Sequence, residues 1–395
     1  MNEKMPESES RPAEDLPLSG LLVIDLSQFL AGPYASLRLQ DLGARVIKIE
    51  RPDGGDLTRR LYLSDTLING ESTLFHAINR GKESLALDLK CPEDKQKLLS
   101  LVSQADVFLQ NFRPGVIERL GLDYASIKSV NDSIVYASIS GYGTHGPWVK
   151  YPGQDLLAQA RSGVMWLNGS DADGPVPFGL AVADMFAGAN TAQGILAALV
   201  KRGIRGRGSH IETSLIEAMS DFQFEVLATY LNDGGRAPRR ARYRSAHVGL
   251  AAPYGVYETA DGFLAIAMTP LGRLADLLEI EALIPYAERP DSWFVERDGI
   301  KNILSERLRH QSTAHWLEIL EREDIWCARV ADWSDFLGSE GFKALDMVQK
   351  LHDHAGGELS LMRCPIRVDG IRPRSRHAAP QIGQHSADII AEFGL

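Results

Sequence analysis

Three cysteines, Cys91, Cys327 and Cys364, are all that 395 residues hold, and none has the neighbour that a metal or redox motif needs. That scarcity excludes a disulfide scaffold and fits reduced thiols in the cytoplasm. It gives no reason to expect a metal or a permanently bound cofactor. Positive charge is short as well. Forty-two Lys and Arg against 52 Asp and Glu leave a net charge of −10, which argues against general binding to nucleic acid or an acidic membrane surface. No apolar run reaches the roughly 18 to 20 residues of a membrane helix. Residues 1–16 are polar and acidic, without the apolar segment of a signal peptide, and read as a disordered tail. Repeats are absent too.

What is present is ordinary globular text, 44% hydrophobic and 24% charged, long enough for two domains. Leu21–Leu26 is a strand-length apolar run, Ala31-Gly-Pro-Tyr34 opens a helix with Pro33 in its first turn, and Ala44–Glu50 is a second strand. This β-α-β unit places its first loop at the carboxyl edge of a parallel sheet, where ligands bind. Glu50 stands about where a dinucleotide fold keeps its ribose-binding acid. No G-x-G-x-x-G follows the first strand, however, which argues against a nicotinamide site. Asn79–Lys90 reads as a turn followed by an alternating strand, further strands are expected at Ala105–Gln110 and Ile134–Ile139, and helices at 92–104, 156–166 and from Ser214 to about Leu231. The segment Gly234–Ser245, with five arginines, reads as a solvated linker. Tyr254–Met268 is a hairpin around Asp261-Gly262, followed by mostly helical text whose Trp293, Trp316, Trp326 and Trp333 read as core. The expected organisation is a tail (1–16), a large Rossmann-like domain (17–225 and 352–395), a linker (226–251) and a smaller α+β domain (252–351).

Asp184 is the one acid in Phe178–Leu199, a run otherwise small, apolar or uncharged. Ala187, Gly188, Ala189, Ala192 and Gly194 suit a buried helix that lets backbones approach closely, closed by Lys201, Arg202 and Gly203. An aspartate at a helix start is either an N-cap or, in a dry setting, a carboxylate nucleophile. The local residues leave both open. Elsewhere Arg51, Lys90, Arg113 and Arg119 each follow a predicted strand, a pattern that points to a phosphate-bearing ligand.

Read together, Leu30-Ala-Gly-Pro33, Asp41-Leu-Gly-Ala-Arg-Val-Ile-Lys-Ile-Glu50, Gly55-Asp56, Leu87-Asp-Leu-Lys90, Asn111-Phe-Arg-Pro-Gly115, Arg119-Leu-Gly121, Gly141-Tyr-Gly143, Gly194–Leu199, Gly206-Arg-Gly208 and Pro380–His385 resemble the class III CoA-transferases over Leu18–Leu395. The resemblance implies a CoA-transferase that uses coenzyme A thioesters as substrates, with Asp184 as nucleophile and helix N-terminal amides stabilising the oxyanion. It implies CoA contacts at Leu30, Ala31, Arg51, Leu87, Asp88, Leu89, Lys90, Asn111, Phe112, Arg113 and Arg119. It also implies an interlocked dimer of ring-shaped subunits, with residues near 200–250 and 335–365 as crossing linkers. Asp155 matches an acidic position of the family, to position the acceptor or water, or simply to cap the helix at Leu156. Ala183 stands where glycine is common, and Gln384 where glutamate is. A racemase of the same superfamily needs a histidine where Gln154 stands, and glutamine exchanges no proton at neutral pH. A non-catalytic acyl-CoA-binding protein on this fold is the third reading; it would have no use for a buried carboxylate at 184.

Overall fold

Six short runs pair side by side into a parallel sheet: β1 (Leu22–Asp25), β2 (Arg45–Glu50), β3 (Glu83–Ala86), β4 (Val107–Gln110), β5 (Val135–Ser140) and β6 (Ser209–Ser214). Their spatial order is β3-β2-β1-β4-β5-β6, the 3-2-1-4-5-6 order of a Rossmann fold. The computed structural model describes residues 16–61 and 66–395. The order of the strands reverses between β1 and β4, so the loops after these two strands flank the switch point.

Both faces of the sheet are covered, which is why its first strands read as continuous apolar runs. One face carries Leu22, Ile24, Ile47, Ile49, Leu85 and Phe108 against Leu98, Leu101, Ile127 and Ile389 from flanking helices. Side chains alternate along a strand, so the same strands turn Asp25, Lys48, Glu50 and Ser84 to the opposite face. All four are buried. Buried charge persists only when paired, and here it is: Lys82 lies 3.1 Å from Asp25, Lys48 2.8 Å from Asp56, and Arg59 2.7 Å from Glu50. Ser84 donates to Glu50 at 2.7 Å. Glu50 is therefore fully engaged, which removes it as a ribose ligand.

Helix α1 (Ala31–Asp41) follows β1, and helix α2 (Asp155–Ser162) follows β5. Helix α3 (Val182–Arg205) packs on α1 through a close backbone approach: a Cβ on Gly188 would lie 2.5 Å from the Ala31 carbonyl oxygen. Only one face of α3 is buried, by Ala183, Ala187, Gly188, Thr191, Ala192, Ile195 and Ala198. Met185, Val200 and Ile204 on its other face are exposed, so the expected buried helix is buried along one face only. It runs past Gly203 and ends at Gly206, whose left-handed backbone closes the last turn onto Arg202. The long helix expected after Ser214 is two, Leu215–Phe222 and Phe224–Asn232, interrupted at Gln223.

The chain divides into two compact units. The first takes the chain to Ala158, then Ala181–Phe222 and Ala344–Leu395; the second takes Gln159–Leu180 and Gln223–Lys343. In the first, a C-terminal hairpin (Val348–His352 with Glu358–Met362) leads to a segment docked beside β3. There the Pro380 carbonyl accepts from Arg59, and the Ser84 amide donates to His385. The tail expected at 1–16 lies outside the described residues except for Leu16, whose carbonyl accepts the Ser19 amide. In the second unit, an antiparallel sheet of Gly255–Glu258, Phe263–Ile266 and Cys327–Arg329 packs against a core that includes Leu274, Leu304 and Trp316. Trp316 is buried and Trp293 packs at the core's edge, but Trp326 and Trp333 are 62% and 84% exposed, so their reading as core is corrected. They lie outside the contact cluster that buries Trp316. Gly234–Ser245 is mostly exposed, as expected of a solvated segment, with Arg240 and Ala241 buried in it. Arg240 is buried with its guanidinium on the Asn168 and Gly174 carbonyls, and Arg297 donates to the Arg239 carbonyl.

Candidate active site

At the sheet's carboxyl edge, a cavity of about 120 Å³ is lined by Leu26, Gln28, Arg51, Leu87–Lys90, Phe112 and Leu120. The structure thus brings together Arg51, Leu87, Asp88, Leu89, Lys90 and Phe112, which lie 61 residues apart in sequence at their extremes. Leu87 is buried and Leu89 and Phe112 half-buried, while Arg51, Asp88 and Lys90 are exposed at the rim. Arg113 and Arg119, also exposed, follow β4 but do not line this cavity. Among the described residues, none of Arg51, Lys90, Arg113 and Arg119 has a carboxylate within 4 Å. Four unpaired cations near one sheet edge are free to meet phosphate.

The floor of the cavity is the ionic layer beneath the sheet edge. Lys48 donates to the Ser27 carbonyl at 2.7 Å and pairs with Asp56. Asp56 in turn accepts from the Thr58 amide at 2.9 Å and the Phe29 amide at 3.4 Å. Across the switch point, the Asn111 amide grips the Gln28 backbone from both sides, accepting its N–H at 2.8 Å and donating to its carbonyl at 2.7 Å. Asn111 is thus a clamp on the β1 loop, its side-chain amide already committed. The loop it holds places Leu30 as the residue before α1 and Ala31, buried, as its first. Phe29 there adopts a left-handed backbone (φ 63°), unusual for a bulky residue, and is half exposed. Sequence reasoning missed Lys48, Asp56, Asp25 and Lys82 as the layer that fixes this loop. The available signal was a lysine at an alternating position inside the apolar run Val46–Ile49.

A larger groove, about 610 Å³, lies over the ends of β4, β5 and β6. Phe112 borders it too, but its walls carry Glu118, Asp123, Glu212 and Glu217 and no lysine or arginine. The cations that line a cavity, Arg51 and Lys90, are thus on the β1–β3 side.

Asp184 and Asp155 line neither cavity; they meet elsewhere in the first unit, at the start of α3. Asp184 is not its N-cap: Ala181 holds that position and offers no side-chain bond. The cap comes from elsewhere. Asp155, buried at the start of α2, accepts the amides of Ala183 at 2.8 Å and Asp184 at 3.2 Å. It caps the helix of Asp184 from 29 residues away, as an aspartate at a helix start should. Two amides expected to stabilise an oxyanion are thereby occupied by Asp155. The chain reaches this position because Gly141, just past β5, and Gly153 touch backbone to backbone; a Cβ on Gly141 would lie 2.4 Å from the Gly153 Cα. Ala183 is buried beside the cap without conflict, and Gln384 closes a local turn by accepting the Gln381 amide.

Asp184 itself lies in the first turn, half-buried, and among the described residues no hydrogen bond or ion pair engages its carboxylate. Burial, and then the neighbouring Asp155 carboxylate, push its pKa from the usual 3.8 up to about 7. Such a carboxylate is poorly solvated, unshared and basic for its type, the properties of a covalent catalyst.

Comparison with known proteins gives the family. Residues 18–386 match the profile of CoA-transferase family III. The chain is 33% identical to succinate–glutarate CoA-transferase of Agrobacterium fabrum, over 97% of each chain. It is also 33% identical to acetyl-CoA:oxalate CoA-transferase of Acetobacter aceti, over 98% of each. The crystal structure of a CaiB/BaiF family protein from Brucella suis superposes with a TM-score of 0.82 at 32% identity, covering 96% of this chain and 99% of that one.

Proposed function

The chain belongs to CoA-transferase family III and is an enzyme of that class, and from that premise we propose that it moves CoA from an acyl-CoA donor to a carboxylic acid acceptor through an aspartyl-CoA thioester on Asp184. The observation that carries this reading is the Asp184 carboxylate, unpaired and raised toward neutral pH while Asp155 does the capping. A carboxylate can hold either half of the transfer. It attacks the thioester carbonyl, giving a mixed anhydride and free CoA thiolate. The thiolate then attacks the aspartyl carbonyl, forming aspartyl-CoA and releasing the donor's acid. The acceptor carboxylate attacks aspartyl-CoA to form a second anhydride, and the thiolate returns to its acyl carbon, restoring Asp184.

In this reading Arg51, Lys90, Arg113 and Arg119 meet the phosphates of CoA, and Leu30, Ala31, Leu87–Leu89 and Phe112 its less polar parts. Asn111 contributes by holding the β1 loop. Asp155 acts as a positioning residue: it fixes the first turn of α3 and keeps Asp184 basic. Relatives named for succinate–glutarate and acetyl-CoA:oxalate transfer support succinyl-CoA or acetyl-CoA as donor and a short dicarboxylic acid as acceptor. Racemisation is disfavoured by Gln154, which has no proton to exchange.

We place the enzyme in the cytoplasm as an interlocked homodimer. The described cysteines are unpaired, and no helix among the described residues is long and apolar enough to cross a membrane. The exposed apolar residues Met185, Val200 and Ile204 on α3 are a surface a partner subunit would cover. Adding hydroxylamine or borohydride with succinyl-CoA, followed by peptide mass analysis, tests the chemistry. Modification is expected on Asp184 alone; a label on Asp155 instead, or on no carboxylate, would overturn it.

A further inference from the structure

The second unit contains a cavity of about 490 Å³ that the transfer reaction does not use. Lys301 lines it with its side chain 94% out of solvent (6% exposed). Burial, and then the nearby Arg297, bring its pKa down from 10.5 to about 8. Its one hydrogen bond among the described residues goes to the Arg244 carbonyl at 3.0 Å, and its ammonium lies 5.9 Å from the Tyr257 ring centroid, which leaves two ammonium protons without a hydrogen-bond acceptor among the described residues. Arg242, Arg244 and Arg309 line the same cavity. Arg242 has no carboxylate within 4 Å among the described residues. The Arg244 guanidinium carbon lies over the Phe263 ring, 4.4 Å from its centroid.

Three carboxylates also line the cavity, and each is engaged. Asp298 accepts the Arg242 amide at 2.7 Å and faces Arg239 at 3.8 Å. Asp173 accepts the Ser170 amide at 2.6 Å. Glu258 is shared by Arg244 at 3.7 Å and Arg309 at 3.3 Å, loose contacts that leave guanidinium donors available. A buried ammonium with spare donors, beside guanidinium groups with spare donors, is complementary to a compact oxyanion. An apolar ligand would strand Lys301 and the guanidinium groups.

We propose that this cavity is a binding site for a small oxyanion, a carboxylate or a phosphate, held by Lys301 with Arg242 and Arg309, separate from the site at the sheet edge. Isothermal titration of the full chain at low ionic strength, with inorganic phosphate in one arm and succinate in the other, tests it. One saturable site per chain is expected for at least one anion, weakened by about tenfold or more in both Lys301→Met and Arg242→Ala. Arg242 lies on exposed coil, so its variant keeps the fold even if the buried Lys301 substitution does not. The tighter of the two anions identifies the oxyanion class. The same titration on Arg119→Ala separates this site from the sheet edge. Binding that disappears there and survives in Lys301→Met and Arg242→Ala overturns the proposal, as does a wild-type chain with no saturable isotherm.

Discussion

Two aspartates of the first unit are withdrawn from water and have opposite fates. Asp25, at the end of β1, is fully buried; desolvation alone would raise its pKa, but Lys82, Lys48 and the hydroxyls of Ser27 and Ser36 hold it at about 2. Asp184, in the first turn of α3, is raised to about 7 by burial with only another carboxylate for company. On the proposed function, the contrast separates charge that serves the fold from charge kept for chemistry. Asp25 has no electron pair to spare, whereas Asp184 has no partner to give up. Lys82 shows the intermediate case: burial brings it down to about 8, because it faces one carboxylate and is repelled by Lys48.

The largest effect expected is on Asp184. Asp184→Asn keeps the shape and removes the nucleophile, so kcat should fall by about a thousandfold or more while CoA still binds. For a group whose folded pKa lies above its unfolded value of 3.8, the charged form is disfavoured in the folded chain, and stability is lost as pH rises from 3.8 to 7. The same substitution should therefore stabilise the protein at pH 8, by about 1–3 kcal/mol, and have no effect below pH 4; denaturant melts at the two values check this. In the wild type, kcat/KM should fall as pH drops through about 7, where Asp184 takes up its proton. A variant that transfers CoA normally breaks the comparison outright.

Asp25→Asn should do the reverse. It leaves Lys82 and Lys48 without their shared carboxylate, and should cost about 3–5 kcal/mol of stability in denaturant melts. Pairing it with Lys82→Met should recover part of that loss. An Asp25→Asn protein as stable as the wild type would mean the ionic layer contributes nothing to the fold. Near the sheet edge the contrast recurs in milder form, between Lys48, which is buried and paired, and the exposed Arg51 and Arg119. Arg51→Ala and Arg119→Ala should each weaken acyl-CoA binding by about 1–3 kcal/mol. Steady-state kinetics should show it as a raised KM with kcat little changed. Unchanged KM in both would move the phosphates elsewhere.

The smallest effect expected is the most discriminating. Asp155→Asn retains an oxygen for the Ala183 and Asp184 amides but loses the charge, and should destabilise by about 1 kcal/mol. It also removes the like charge beside Asp184, so the acid limb of the kcat/KM profile should move to lower pH. A purely structural cap would lower stability and leave that limb in place.

Local patterns are enough to predict much of this molecule. Strand-length apolar runs at Leu22–Asp25 and Arg45–Glu50, the proline-opened helix between them, and a lone acid in small-residue text at 184 are all legible in the chain, because strand and helix formation follow from neighbouring residues. The cations after the strands are legible for the same reason, since a parallel sheet brings all its carboxyl ends to one edge. Tertiary structure alone decided which charges pair. Nothing near Asp184 in sequence reveals that its helix is capped by Asp155, because capping needs only an oxygen at the right point in space. The burial of Arg240 in an arginine-rich coil and the exposure of Trp333 on a short helix are likewise settled by what each packs against. So are the opposite pKa values of Asp25 and Asp184, since one residue type in two settings acquires its chemistry from the groups that folding brings within a few ångströms.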